Sequence, residues 1–268
     1  MRNFKRLFLT DMQRVFSGPK FWILAAGVAA LYFCNTLSDS LFMDHFTLEG
    51  SVVGSMGLTR GVFFTQLTLI LATLVYGTSF CEDWKNRNIR NIIIRSDIPS
   101  YAASKMIACV ISAFAVLLVG NLLFALLEMI LTGSVYGSTN LENLRQGSLF
   151  NQLVGNGDFF PWLLIESTRS ALEGAVFASI SLTVSTVMTN PFVVLTLPIF
   201  IYFFADLILQ TSKVPDIVNM IVLYENDGIC IGQNVAVHMI WTVAITILLC
   251  IAFGYFFLKG VRRKFENG

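Results

Sequence analysis

The sequence predicts an all-α integral membrane protein with six transmembrane helices, and three observations support this fold class. Hydrophobic residues make up 55% of the 268 residues and charged residues only 13%, against about 25% charged residues in soluble domains. The mean hydropathy is +0.70. Apolar windows of about 20 residues, enough for a helix to cross the hydrocarbon core, recur along the whole chain. We therefore expect a single transmembrane domain over residues 1–268.

The N-terminal segment 1–18 is predicted to form an amphipathic helix that lies in the membrane interface. Its apolar residues recur at helical spacing, and basic residues stand between them. The apolar residues are Phe4, Leu7, Phe8, Met12, Val15 and Phe16, and the basic ones are Arg2, Lys5, Arg6 and Arg14. Gly18 and Pro19 end this helix.

Six apolar runs follow, and each is predicted to span the membrane. Their approximate limits are 21–37, 61–80, 106–131, 161–188, 192–209 and 235–258. The fourth run stops at a turn formed by Thr189, Asn190 and Pro191, and Pro198 interrupts the fifth. In the connection before the sixth run, the apolar stretch 217–224 predicts a short interfacial or re-entrant helix.

Lysine and arginine are distributed unevenly over the connections, and positive charge is retained on the cytoplasmic side of a membrane. Five of these residues lie in the N-terminal segment through Lys20, five in the segment 81–105 and four in the tail after span six. The connections on the other side hold three: Arg60, Arg145 and Lys213. We therefore expect both termini to be cytoplasmic.

Charge and cysteine content argue against several function classes. The formal net charge is +1 and no basic stretch is interleaved with aromatic residues, so nucleic acid is not an expected partner. The five cysteines form no CxxC pair, and the two histidines suggest no metal or catalytic site. The chain contains no G-x-x-x-x-G-K-[ST] phosphate loop. We expect no enzymatic site, metal or cofactor on this chain.

The connection after span two is the strongest candidate for a docking site. It carries Glu82 and Asp83, then basic and polar residues around the apolar run 92–94, and Pro99 ends it. This pattern is typical of a short amphipathic helix that docks on a cytoplasmic partner. A basic anchor for anionic lipid headgroups is an equally sound interpretation, and both can hold together.

Several features from the N-terminus to span three occur in an order known from one transporter family. They are the basic interfacial helix KRLFLTDMQRVFSGPKFW, an acid shortly after span two, the segment NIRNIII, a Pro-Ser-Tyr turn and Lys105 at the mouth of span three. In this order the chain resembles the permease subunit of type 2 ABC transporters. The resemblance covers the whole length in topology and is sequence-specific over about residues 1–25 and 78–110.

The resemblance implies that the loop after span two holds a coupling helix, which sits in a cleft of a separate ATPase subunit and passes its motion to the spans. Glu82 matches the acid at the end of span two, and Lys105 matches the lysine that opens span three. The glycine that the family often places before the docking helix is replaced here by Arg87 or Asn88. The implied coupling residues are Glu82, Asp83, Arg87, Arg90, Asn91, Ile93, Arg95 and Lys105.

By analogy, the same resemblance implies an exporter in the plasma membrane of a bacterium. A separate ATPase subunit would bind ATP and Mg²⁺, and two permease copies, identical or closely related, would enclose the pathway. Small permeases of this family commonly export antimicrobial peptides or drugs and thereby serve antibiotic resistance or immunity. We therefore expect a hydrophobic or amphipathic substrate. A proton-coupled secondary transporter and a non-transporting membrane scaffold are the alternatives.

Three ionisable residues, Glu166, Arg169 and Glu173, lie inside the fourth span at spacing i, i+3 and i+7. They share one helix face, so Arg169 can pair with either carboxylate. They either line the pathway in the outer half of the membrane or form a structural ion pair, and proton relay is a third use. Three further ionisable residues near outer span ends are expected to reach headgroups and water: Glu128, Asp206 and His238.

Overall fold

The computed structural model describes residues 2–42, 52–58, 62–136, 141–146, 148–211, 215–225 and 231–266. Within these ranges the chain is helical and contains no β-strand, which confirms the predicted all-α class. The α-helices are α1 (Arg2–Phe16), α2 (Pro19–Phe42), α3 (Val52–Leu58), α4 (Val62–Tyr76), α5 (Ser79–Lys85), α6 (Asn88–Arg95), α7 (Ile98–Thr132), α8 (Leu141–Arg145), α9 (Leu149–Gly155), α10 (Phe159–Ser185), α11 (Pro191–Thr211), α12 (Met220–Tyr224) and α13 (Val235–Glu266). A 3₁₀ turn covers Ile231–Gln233.

Three helices of the described ranges are long and apolar enough to cross a membrane: α2 over Pro19–Leu37, α7 and α13. Their outer faces are apolar too. On α13, Ile240 is 71% exposed, and Leu248 and Ile251 are each 67% exposed. Such surface is unfavourable in water and favourable in hydrocarbon. The chain is therefore a membrane-embedded, all-α protein.

Helices also cover the other three predicted spans. α4 contains the shorter apolar segment Thr65–Tyr76, and α11 contains Pro191–Phe204. α10 is 27 residues long but carries Glu166, Arg169 and Glu173, so its apolar surface is interrupted by charge.

Helix α7 forms the centre of the bundle and packs against α1, α2, α4, α10 and α13. Small residues allow the closest of these contacts, as is common between helices in membranes. A Cβ atom on Gly120 of α7 would lie 2.7 Å from Cβ of Val28 in α2. A Cβ atom on Gly174 of α10 would overlap Cδ1 of Leu117 in α7. The central helix therefore packs closely against both α2 and α10.

Several helix limits differ from the predicted spans. α4 ends at Tyr76 rather than at 80, because the chain turns at Gly77 and Thr78 and starts the separate helix α5. α13 continues past the predicted end at 258, since Phe257 and Val261 keep one face of the tail buried. α11 runs through Pro198, where the sequence predicts an interruption. The short helix predicted within 217–224 is present as α12.

Candidate functional site

The predicted docking segment folds into two short helices rather than one. α5 ends at Lys85, and α6 starts at Asn88. Between them Arg87 adopts a φ of 55°, in the left-handed region that favours glycine. The strained position therefore coincides with the place where the transporter family often has glycine.

Helix α6 turns one apolar side toward the protein and another toward its surroundings. Ile89 is buried, and Ile92 and Ile93 are half-buried against the core. Ile94 is 82% exposed, so α6 presents an apolar side chain at the surface of the protein. Three predicted coupling residues belong to the same helix, but their side chains lie outside the described residues: Arg90, Asn91 and Arg95.

Lys105 lies at the centre of a buried ionic cluster. Its Nζ atom is 2.9 Å from Oδ2 of Asp83 and 3.4 Å from Oδ1 of Asp11. Lys105 also donates a hydrogen bond of 2.8 Å to the Tyr76 hydroxyl. Only 2% of Lys105 is exposed. The structure thus brings together two of the predicted coupling residues, Asp83 and Lys105.

Three hydroxyl groups complete this cluster. Tyr76 and Ser104 each donate a hydrogen bond of 2.6 Å to Asp11, and Tyr101 donates one of 3.0 Å to Asp83. Each buried carboxylate therefore meets the Lys105 ammonium and at least one hydroxyl, the condition under which buried charges are tolerated. We call the six residues the Lys105 network: Asp11, Tyr76, Asp83, Tyr101, Ser104 and Lys105.

The Lys105 network joins four helices, because Asp11 belongs to α1, Tyr76 to α4, Asp83 to α5 and the other members to α7. Sequence analysis missed Asp11 as a functional residue. A signal for it existed: Phe4, Phe8, Asp11 and Val15 follow the spacing of one helix face, so this acid interrupts an apolar stripe. An acid in such a stripe indicates a buried partner.

Glu82 lies apart from the Lys105 network. Its side chain is exposed and accepts a hydrogen bond of 3.4 Å from Oγ1 of Thr78. Neighbouring residues on a helix point in different directions, so Asp83 turns inward while Glu82 turns outward. Of the two acids at this position, Asp83 is the one that connects α5 to the bundle.

The C-terminal end of α13 reaches α5. Nζ of Lys264 lies 4.9 Å from the ring centroid of Trp84 and 5.5 Å from that of Phe80, at cation–π distance. Burial lowers the pKa of the Lys264 ammonium. The three basic segments of the chain therefore meet at one end of the bundle. We call it the basic end; it comprises α1, α5, α6, the start of α7 and the end of α13.

The second predicted cluster, on α10, is also buried. Nη1 of Arg169 lies 3.4 Å from Oε1 of Glu166, and Nε of Arg169 donates a hydrogen bond of 3.3 Å to the Leu223 carbonyl. The Arg169 guanidinium also lies 4.7 Å from the ring centroid of Phe150. Arg169 thus binds its helix neighbour, as the spacing predicts, and it also ties α10 to α9 and α12.

Two residues that were expected to reach water are buried instead. His238 is fully buried: its Nδ1 accepts a hydrogen bond of 3.2 Å from the Ile231 amide, and its Nε2 lies 3.3 Å from the Leu223 carbonyl oxygen. Glu128 is 1% exposed and accepts a hydrogen bond of 3.4 Å from Thr36. Both expectations were wrong because neighbouring segments cover these side chains. The side chain of Asp206 lies outside the described residues.

A polar cavity of about 50 Å³ lies beside Glu166, between α10 and the segments around it. Three carboxylates line it, those of Glu166, Glu173 and Glu225. Trp162 also lines it, and the buried indole N–H of this residue has no hydrogen-bond partner among the described residues. A buried donor without a partner is uncommon in native structures. The cavity is therefore suited to hold water or a small polar group.

No protein-family model, curated protein or solved structure matches the chain. Among the residues that the structure describes, no group of three His, Cys, Asp or Glu side chains is placed to hold a metal ion.

Proposed function

We propose that the chain is the membrane subunit of an ABC exporter, which pairs with a separate ATPase subunit and moves a hydrophobic or amphipathic substrate out across the plasma membrane. In this proposal α2, α4, α7, α10, α11 and α13 each span the membrane. Helix α1 lies in the cytoplasmic interface, both termini are cytoplasmic, and α5 and α6 together dock on the ATPase.

The position of the basic residues in the fold supports this orientation. The segments richest in lysine and arginine meet at the basic end, as the positive-inside rule expects of a cytoplasmic face. Arg145 lies in α8, beyond the opposite end of α7, where its Nε donates a hydrogen bond of 2.7 Å to the Gly155 carbonyl. The two other basic residues assigned to that side, Arg60 and Lys213, lie outside the described residues.

The Lys105 network is the single observation that carries the proposal. Asp83 belongs to the docking segment, and its partner Lys105 lies near the start of the 35-residue helix α7. Through Asp11 the same ammonium also holds α1. Since α7 packs against α1, α2, α4, α10 and α13, a partner that displaced α5 would shift the centre of the bundle. A contiguous set of buried contacts of this kind provides the physical connection that coupling requires.

The polar cavity supports a transport pathway in the proposed orientation. It lies beside the ion pair of Glu166 and Arg169 on α10, at the end of the bundle away from the Lys105 network. Ionisable groups inside membrane helices commonly mark a substrate or ion pathway. In the proposal, two copies of the chain face each other so that such polar groups border the route of an antimicrobial peptide or a drug.

The proposal is tested by purifying the tagged full-length chain gently from its native membrane, identifying what accompanies it by mass spectrometry, and measuring ATP hydrolysis in the eluate. We expect a near-stoichiometric ATP-binding subunit and ATPase activity. Ile94→Glu places a charge on the exposed apolar contact of α6 and should release that subunit, whereas Ile94→Val should retain it. Recovery of the chain without an ATPase, in a preparation where other complexes survive, would overturn the proposal.

A proton-coupled secondary transporter is the second candidate, because three carboxylates border one small cavity. It predicts transport in vesicles without ATP, driven by a pH gradient. It also predicts that Glu173→Gln shifts the pH profile of transport while ATP has no effect. If neither ATP nor a pH gradient drives transport, the membrane scaffold is the remaining interpretation.

A further inference from the structure

The polar cavity beside α10 is lined by charge of one sign. Of the described residues that line it, three are acidic, namely Glu166, Glu173 and Glu225, and none is basic. Arg169 is not part of this lining, and its guanidinium is bound to Glu166 and to the Leu223 carbonyl. The described lining of the cavity therefore carries an excess of negative charge.

Glu173 lines this cavity without an ion-pair partner. It is 3% exposed and forms neither an ion pair nor a hydrogen bond in the part of the chain that the structure describes. It lies near the middle of α10, one of the helices that span the membrane in the proposed function. An ionised carboxylate buried without a partner is strongly unfavourable. A bound cation or a proton must therefore neutralise Glu173.

Asn121 of α7 lines the same cavity and also lacks a partner. It is 3% exposed, and its side-chain amide forms no hydrogen bond with any described residue. The polar atoms of Asn121 and Glu173 keep accessible surface, so a group inside the cavity can reach them. Buried polar side chains in native structures nearly always have a partner. Since these two side chains are not bonded to each other, a group bound between them would supply one to both.

We propose that this cavity binds one small monovalent cation, held by the carboxylate of Glu173 and the side-chain amide oxygen of Asn121. Ser170, one turn before Glu173 on α10, adds a hydroxyl oxygen. Oxygen ligands of this kind suit hard cations. The volume of about 50 Å³ exceeds the roughly 10–15 Å³ that one water molecule needs. Among the described residues the carboxylates are not placed to hold a metal ion jointly, which favours a single charge over a divalent ion.

Two sources can supply this cation. One is an inorganic ion such as Na⁺, which the oxygen atoms coordinate directly and which needs no ATPase subunit to bind. The other is a primary ammonium group at the polar end of an amphipathic substrate, which donates hydrogen bonds to the same oxygen atoms. This second source rests on the proposed function, and it would narrow the substrate class to compounds that carry an amine.

The test uses the purified full-length chain in detergent and two probes, NaCl and methylammonium chloride. Each replaces choline chloride, whose cation is bulkier, at constant ionic strength. A cation that binds the folded chain raises the midpoint of thermal unfolding with its concentration, which gives an apparent affinity. The cavity variants are Glu173→Gln and Asn121→Ala. The matched control is Glu128→Gln, at a buried carboxylate that does not line the cavity.

Cooperative unfolding in choline chloride confirms that each variant is folded. If one of the cavity variants does not fold, Ser170→Ala takes its place, because Ser170 is only half-buried.

We expect Glu173→Gln to bind the cation at least about tenfold more weakly and Asn121→Ala roughly threefold or more, with Glu128→Gln close to the wild type. This pattern with Na⁺ alone assigns the site to an inorganic cation, and the same pattern with methylammonium assigns it to an ammonium group. A wild-type midpoint that neither probe raises above its value in choline chloride would overturn the inference. Equal weakening by Glu128→Gln would overturn it too.

The outcome is independent of the test of the proposed function. If a cation binds but no ATPase copurifies, only the proposed function fails. If an ATPase copurifies and neither probe binds, only this inference fails.

Discussion

The Lys105 ammonium and the Asp83 carboxylate lie 2.9 Å apart, in a site where less than a tenth of either side chain is exposed. This ion pair ties the predicted docking segment to the central helix α7. A buried pair is stable only when its remaining hydrogen-bonding capacity is met. Tyr76 and Tyr101 supply these remaining hydrogen bonds: Tyr76 accepts one from Lys105, and Tyr101 donates one to Asp83.

Removing the central cation should destabilise the protein strongly. Lys105→Met leaves the carboxylates of Asp11 and Asp83 buried without an opposite charge, which costs about 3–5 kcal/mol. We expect a lower midpoint of thermal unfolding in detergent, followed by tryptophan fluorescence. Lys259→Met, at an exposed lysine of α13, should leave the midpoint unchanged. Equal midpoints for the two variants would contradict the assignment of Lys105 as the centre of the network.

The effects of changing Asp83 and Lys105 should not add. Asp83→Asn removes one of the two carboxylates that Lys105 neutralises, so the double variant with Lys105→Met carries one uncompensated charge fewer than Lys105→Met alone. We expect a coupling energy of about 0.5–3 kcal/mol from a double-mutant cycle on the free energy of unfolding. The pair Asp83→Asn and Lys259→Met serves as the control, and its effects should add. Additive effects at Asp83 and Lys105 would show that the ion pair is not formed.

Glycine at position 87 should stabilise the start of α6. Arg87 has a φ of 55°, which glycine adopts without steric cost. We expect Arg87→Gly to slow hydrogen–deuterium exchange over residues 88–95, equivalent to a gain of about 0.5–1 kcal/mol. Arg87→Ala removes the same side chain but keeps Cβ, so it should give no such gain. Faster exchange in Arg87→Gly than in Arg87→Ala would contradict the left-handed conformation.

The contact between α2 and α7 should tolerate no added methyl group. A Cβ atom at position 120 would lie 2.7 Å from Cβ and Cγ1 of Val28 and 3.1 Å from the Ala25 carbonyl oxygen. Overpacking of this kind costs about 1–3 kcal/mol, so Gly120→Ala should lower the thermal midpoint, and Val28→Ala should restore part of it. Gly254→Ala, whose nearest neighbour would be Met106 Cγ at 3.5 Å, is the matched control and should be tolerated. A tolerated Gly120→Ala would contradict the packing.

Features that depend on neighbouring residues in sequence were predictable. The apolar runs predicted the long helices, and the i, i+3 spacing predicted the contact of Arg169 with Glu166. The predictions of helix and of this ion pair succeeded because the relevant residues lie within one or two helical turns of each other. The coupling roles that the family resemblance implies for Lys105 and Arg87 stay predictions.

Features that depend on tertiary packing were not predictable from one sequence. The bond of Arg169 to the Leu223 carbonyl joins segments 54 residues apart. His238 and Glu128 are polar residues near helix ends, for which exposure to water is the ordinary expectation, yet α12 and α2 cover them. Asp11 lay on an apolar stripe, but its partners in α4 and α7 became evident only when the helices were packed.

Photo-crosslinking from position 94 tests the central claim most directly, namely that α6 docks on an ATPase subunit. A photoreactive phenylalanine analogue replaces Ile94, which is 82% exposed, and in the control it replaces Ile89 of the same helix, which is 3% exposed. The native membrane is irradiated, and the products are identified by mass spectrometry. We expect a crosslink from position 94, absent from position 89, to a chain that carries a G-x-x-x-x-G-K-[ST] phosphate loop. A crosslink from position 94 only to lipid, or to a protein without an ATPase domain, would contradict the account.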